Sequence, residues 1–366
     1  MRLSIATILI ALVAAPLAAQ GPHLAKQATQ PAREYAEPHY EEQAYSAEQQ
    51  YFAEQPYFAD EGPPPGSSGL DLPARLLDPA QVGMLHVVAE GAVLSRSNPA
   101  NVTLATQNGV EALNFRQLDL DSSGGPHINI QYEFDFDLRL EIDYLGLPGW
   151  TAVANLGPGE YRLQGGRGEL GPLADQFRAE YASDFHSTEI NLQWGWCPGV
   201  FMLTGLRIAE LREHYGVDAQ TTFLGEPAPY TLTYDTINHL SGLQLGLLFR
   251  TDATGRRVAW EGSVRGALLG NRVNHSYALD DPSTGTLQGR VDGSDAAFLG
   301  DVRFGAIFRW SSRFSIRTGY QLIGLTGVGL SPDEVLATKL VANTSQALTN
   351  GTAWFQGMTL GFEYQW

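Results

Sequence analysis

The sequence predicts an all-β protein: an antiparallel up-and-down transmembrane β-barrel of about ten strands, with twelve admissible, preceded by a disordered acidic tail. Three observations carry this. Apolar and polar residues alternate with period two in segment after segment beyond Leu70, as side chains on opposite faces of a strand require. Tight and long connectors alternate down the chain, the habit of outer-membrane barrels. The composition of 40 Gly, 15 Tyr, 16 Phe and 7 Trp in 366 residues suits strands punctuated by turns. A formal charge of -17 excludes a nucleic-acid partner, because so acidic a surface repels phosphate. Cys197 is the single cysteine, so no internal disulfide and no Cys-cluster metal site can form.

Residues 1–19 read as a signal peptide: Arg2 precedes an apolar run from Ile5 to Ala15 broken only by Thr7, and Leu17-Ala18-Ala19 offers small residues for cleavage. That run is shorter than the roughly 20 residues a membrane-spanning helix needs, and no lipid-anchoring cysteine follows it. Residues 20–69 hold eight acids, Glu34, Glu37, Glu41, Glu42, Glu48, Glu54, Asp60 and Glu61, against Lys26 and Arg33. A loose repeat runs from Tyr51 to Gly62, and the segment ends in a Gly/Pro/Ser linker from Gly62 to Gly69. Few branched apolar residues are present to offset ordering entropy, so a disordered tether is expected, with a partner-binding tag as the alternative. The barrel is assigned to residues 70–366.

Strands are expected near 84–94, 126–134, 138–146, 176–196, 199–212, 229–250, 256–270, 296–310, 313–325 and 352–366. The first is the weakest in pattern. The second and third form one long alternation, Ile128, Ile130, Tyr132, Phe134, then Leu138, Leu140, Ile142, Tyr144, with polar residues between and a tight turn at Asp135-Phe136-Asp137. Ile190, Leu192, Trp194 and Trp196 mark the fourth, and Gly205-Leu206-Arg207 lies in the fifth. Leu243, Leu245, Leu247 and Phe249 mark the sixth, Val258, Trp260, Val264 and Leu268 the seventh, and Val302, Phe304, Phe308 and Trp310 the eighth. Phe314, Ile316, Tyr320 and Leu322 mark the ninth. The last alternates Met358, Leu360, Phe362, Tyr364 and Trp366, and its Leu360, Phe362, Tyr364 and Trp366 are the expected C-terminal barrel-assembly signal. Helical periodicity is confined to one turn at Ser331-Pro332-Asp333-Glu334.

Short connectors fall at 135–137, 197–198, 251–255 and 311–312, and long ones near 95–125, 147–175, 213–228, 271–295 and 326–351. An even strand number places both ends of the barrel on the periplasmic side, with the long loops outside. A soluble β-sandwich also has one apolar face per strand, but three features count against it. Aromatics sit on the apolar face at strand ends, Gly246, Gly305, Gly319, Gly357 and Gly361 sit on the polar face, and the alternation runs up to Trp366.

The stretches Leu140–Leu147, Glu189–Val217, Asn238–Arg250, Arg313–Val335 and Gln356–Trp366 resemble the outer-membrane β-barrel proteins found in many copies in planctomycete-type bacteria. The best motifs are Gly205-Leu206-Arg207 before Leu211, Asn238-His239-Leu240-Ser241-Gly242, and Gly319-Tyr320-Gln321 with Leu330-Ser331-Pro332-Asp333. The likeness covers roughly residues 125–366 and implies a barrel related to pore-forming proteins, with no catalytic residues to carry over. The first strand lacks the expected Trp-rich pattern, and Cys197 stands alone where the family pattern has several cysteines.

Charged residues on the polar face would cost about 2–4 kcal/mol in lipid for a mid-depth Arg or Lys, so they are expected to line the lumen. The pore-lining candidates are Glu133, Glu141, Asp143, Glu189, Arg207, Glu261, Arg265, Asp301, Arg303, Arg309, Arg313, Arg317 and Glu363. Acids come early and arginines late, so opposed rows either pair into a plug or leave a polarised constriction. Ten strands lie near the filled end of barrel sizes, which favours a narrow or gated pore for ions or small solutes. With 20 bases against 32 acids beyond the tail, small cations are the expected solutes. The expected partners are outer-membrane lipid and the barrel-assembly machinery. A structural or adhesive surface barrel with a periplasmic tether is the alternative. A barrel-borne hydrolase is more remote: His214 with Asp218, Asp235 with His239, and Asn274-His275-Ser276 near Asp280 are pairings that chance supplies among 40 acids and 8 His, so no catalytic residue is assigned. No cofactor and no metal site are expected. The acidic loops lack an ordered calcium-loop pattern, and Cys197 is read as incidental.

Overall fold

The computed structural model describes residues 84–98, 101–135, 138–157, 159–163, 174–251, 257–283, 285–338 and 347–366. The signal peptide, tail and linker expected over 1–69 lie outside the described residues. Thirteen strands are present: β1 (Met84–Arg96), β2 (Thr103–Gln107), β3 (Val110–Asn114), β4 (Ser123–Asp135), β5 (Leu138–Leu156), β6 (Tyr161–Leu163), β7 (Ala174–Cys197), β8 (Val200–Phe223), β9 (Glu226–Arg250), β10 (Val258–Asp281), β11 (Gly285–Arg309), β12 (Phe314–Val328) and β13 (Gly351–Gln365). Among the described residues one α-helix, α1 (Ser331–Ala337), stands at the turn expected there. Ten strands close a barrel in the order β1-β13-β12-β11-β10-β9-β8-β7-β5-β4, and β3-β2-β6 form a small separate sheet. Every barrel pairing is antiparallel.

The barrel has two tiers of opposite polarity. In the lower tier, where β1 begins and β13 ends, apolar side chains point out and polar ones in. On β10 the outward Val258, Trp260, Val264 and Leu268 are exposed while the inward Ser263 and Arg265 are buried. Higher on the same strand the pattern inverts: outward residues are Arg272, Asn274 and Ser276, and inward residues are Leu269, Val273, Tyr277 and Leu279. The inversion occurs at one level around the ring. Inward residues turn apolar at Leu94, Leu147, Phe185, Leu211, Leu240, Leu269, Leu299, Ile323 and Phe355, all buried. Hydrocarbon outside demands the first arrangement and water outside the second.

This inversion corrects two expected loops. Residues 213–228, 271–283 and 285–295 continue β8, β9, β10 and β11 as paired ribbons, the first with a turn at Leu224-Gly225. Their alternation was masked in the sequence because the apolar set, Tyr215, Val217, Tyr277 and Leu279, sits on the face that is polar lower down. Likewise β5 runs on to Leu156 through a register shift between Leu147 and Trp150. Among the described residues β5 and β7–β11 continue farthest above the inversion, paired in that order. The remaining segments pack against their inward face.

The filling is apolar. Phe115 lies 5.5 Å from the Tyr181 ring and 4.7 Å from that of Tyr215. Its position is set by a single 3-10 turn over Phe115–Gln117, where Asn114 and Gln117 cap each other, each side chain accepting from the other's backbone N–H at 3.1 and 3.0 Å. Phe185 stacks on Phe355 at 5.0 Å, and Trp150 lies tilted against the same ring at 5.2 Å. The β12–β13 connection is latched inside by Asn238, whose amide donates to the Gly329 carbonyl (2.8 Å) and accepts from its N–H (2.7 Å). Asn271 donates to the Gly327 carbonyl at 3.0 Å, and Glu213 accepts from the Ser331 N–H at 2.7 Å. Two sequence motifs far apart in the chain, at Asn238 and at Leu330–Asp333, thus meet. Where strands press closest no side chain fits: a Cβ on Gly361 would meet the Ala89 carbonyl oxygen, and one on Gly357 that of Val93.

Candidate functional site

The lumen of the lower tier is a network of ion pairs. Glu189 accepts from Arg265 (2.5 Å), lies 3.1 Å from Arg207, and accepts from Gln244 (2.8 Å) and Asn191 (3.1 Å). Asp301 meets Arg207 at 3.4 Å, Arg303 at 3.3 Å and the Gln321 amide at 3.1 Å. Asp143 lies against Arg303 (3.2 Å), His127 (3.0 Å) and Asn129 (2.8 Å). Glu141 accepts from Gln193 (2.7 Å) and Asn191 (2.8 Å) and pairs with Arg265 at 3.2 Å. Lower down, Glu363 receives Arg317 (2.9 Å) and Arg250 (3.2 Å), and Glu261 pairs with Arg317. Glu133 pairs with Arg139 at 3.4 Å.

Desolvating each ion costs several kcal/mol, and only opposed charges with further hydrogen bonds offset it. Facing rows on β5, β7, β10 and β11 meet that condition: the arginines of one wall reach the carboxylates of the other. Two of the thirteen residues singled out by the sequence stand apart. Arg309, the last residue of β11, is half-buried and has no ion pair among the described residues. Arg313 does not face the lumen. It is exposed in the turn between β11 and β12, because the β12 alternation begins one residue later.

Several members of the network were missed. Glu90 holds His127 at 2.7 Å and Arg317 at 3.2 Å, and His86 lies between Glu133 (3.6 Å) and Glu363 (3.4 Å). Both come from β1 and the start of β4, where the outward residues Val87, Ala89, Gly91 and Pro126 are too small to show the period clearly. The inward series His86, Val88, Glu90 was the available signal. A chamber of about 60 Å³ remains among Glu90, His127, Asn129, Arg265, Arg303 and Gln321. The apolar tier lies above it.

Among the described residues the histidines singled out for hydrolysis take partners other than those their spacing suggested. His214 pairs with Asp235 at 2.7 Å and His239 with Glu210 at 3.0 Å, both on the outer surface. His275 points inward, fully buried, and shares a hydrogen bond of 3.1 Å with Thr236, while its chain neighbours Asn274 and Ser276 face outward. Ser276 stands opposite Asp235 in the register, so the acid separates it from His214. Cys197 is exposed and free. No cluster of His, Cys, Asp and Glu suited to a metal ion occurs among the described residues.

No protein-family model and no curated protein matches the chain. Solved outer-membrane β-barrels resemble it. The outer-membrane protease OmpT from Escherichia coli is 12% identical at a TM-score of 0.40, over 78% of this chain and 96% of that one. The toluene transporter TbuX from Ralstonia pickettii is 9% identical at 0.28, over 80% and 92%. A FadL homologue from Pseudomonas aeruginosa is 8% identical at 0.23, over 78% and 90%. These proteins differ in activity, and at such scores none of their activities follows for this chain.

Proposed function

We propose that the protein is an outer-membrane barrel with a sealed lumen, whose working part is the wall and filling of the upper tier, held outside the cell as a surface scaffold. The observation that carries this is the inversion of polarity at one level on nine of the ten barrel strands. Below it the lumen is closed by paired charges, and above it by Phe115, Trp150, Phe185, Phe355 and their neighbours. In this reading both ends of the barrel and the acidic tail face the periplasm after removal of the signal peptide. Leu360, Phe362, Tyr364 and Trp366 then serve the assembly machinery, and lipid contacts the outward band. Membership of the planctomycete-type barrels is part of the same proposal.

Planar-bilayer recording tests it. The full-length mature protein is expected to insert without steady conductance. Steady single-channel steps from a properly folded, heat-modifiable preparation would overturn the sealed reading. A second reading, a narrow or gated cation passage, is favoured by the polar chamber beside His127 and Arg303. It requires the apolar filling to withdraw, so Trp150→Ala with Phe355→Ala would raise conductance, and reversal in a salt gradient would show cation preference.

A further inference from the structure

A closed barrel has no strand edges, but this one closes only in its lower part. The β11–β12 pairing begins at Phe298 opposite Thr326, whereas β11 itself starts at Gly285 and is paired with β10 along its whole length. From Thr286 to Ser294, β11 therefore has a partner on one side only among the described residues. The alternate N–H and C=O groups on its other side have no strand partner among the described residues, and every residue there is exposed or half-exposed. Such an edge is a template for a further strand unless it is blunted. Proline, bulges and charged side chains blunt edges; Thr286–Ser294 has no proline and no bulge, and its only charges are Arg290 and Asp292.

We propose that this edge of β11 is a strand-addition site, filled by an extended segment of a partner protein that alternates apolar and charged residues. The chemistry of the partner follows from the two faces of the edge. Outward lie Thr286, Gln288, Arg290, Asp292 and Ser294, in which Arg290 forms an exposed ion pair with Asp292 at 3.4 Å and donates to the Asn274 side chain of β10 at 3.3 Å. A partner strand with an acid opposite Arg290 and a base opposite Asp292 replaces that exposed pair with two cross-strand pairs. Inward lie Leu287, Gly289, Val291 and Gly293. The Tyr277 ring covers the inward side of Gly289 and Ala347 that of Gly293, each where a Cβ would stand. Large apolar residues on a partner strand opposite these glycines would pack against Tyr277 and Ala347. Main-chain hydrogen bonds supply affinity and this alternation supplies specificity. The inference is independent of which side of a membrane the upper tier occupies.

The test uses the full chain in detergent and a fluorescent peptide of sequence Thr-Phe-Lys-Val-Glu-Phe-Thr, which in antiparallel register places Glu opposite Arg290 and Lys opposite Asp292. Saturable binding by anisotropy is expected. Exchanging Lys and Glu in the peptide should weaken it by about tenfold, the scale of two cross-strand pairs turned repulsive. The R290D/D292R double variant should restore the exchanged peptide. N-methylation of alternate peptide nitrogens in one phase, and not the other, should abolish binding. Absence of saturable binding, indifference to N-methylation in both phases, or equal affinity of the exchanged peptide would each overturn the proposal. So would self-association of the chain that the peptide blocks, which would make a second copy the occupant. Far-ultraviolet circular dichroism of R290D/D292R, equal to that of the unaltered chain, keeps the charge test interpretable.

Discussion

Arginine placed at successive outward positions of β10 measures where hydrocarbon gives way to water. The apolar outward run from Val258 to Leu268 covers about 34 Å of strand at about 3.4 Å per residue. At a tilt of about 40° this is about 26 Å of height, the size of a membrane apolar band. Val264, 56% exposed, lies near its middle and Leu268, 69% exposed, near its upper border. An arginine on the lipid face costs about 2–4 kcal/mol at the midplane and about 0–1 kcal/mol near the interface. Val264→Arg should therefore lose about 2–4 kcal/mol, Leu268→Arg about 1 kcal/mol or less, and Ser276→Arg nothing measurable, since native Arg272 already faces outward below it. Refolding into lipid vesicles followed by guanidinium titration, read by tryptophan fluorescence and heat-modifiable migration, gives the three values. A flat profile, or equal losses at Val264 and Ser276, would refute the two-tier assignment.

Other expectations follow from the same geometry. Leu211→Ala should destabilise the fold by about 2–5 kcal/mol in the same titration, because the side chain is fully buried in the upper tier and a cavity would remain. Arg265→Met should cost about 3–5 kcal/mol, since Glu189 and Glu141 would lose a buried counter-charge. Burial pushes the Glu334 carboxyl on α1 up from 4.5 to about 8, although it accepts the Leu348 N–H. The native state then binds more protons than the unfolded chain between these values, so its stability is greatest below about pH 4.5 and falls until about pH 8. Glu334→Gln should remove that slope and gain up to about 5 kcal/mol above pH 8, as read by thermal unfolding across pH.

The sequence alone determined the ten barrel strands, their antiparallel order and the lower lumen. Hydrocarbon imposes a strict period of two, and Ile190, Leu245, Val302 or Leu360 display it without help from any neighbour. It also named most of the paired charges, because a polar face opposite such a row has nowhere to turn but inward. Partners were another matter. That Arg265 reaches Glu189 and Glu141, or that Glu90 holds His127, depends on which strands stand across the ring, and curvature and closure set that. The upper parts of β8, β10 and β11 were illegible for a sharper reason: Tyr215, Val217, Tyr277 and Leu279 keep the same period with the faces exchanged. A reader expecting one face to stay apolar throughout meets loops where strands continue. Only the folded barrel, with water replacing lipid at a fixed height, decides which face is which.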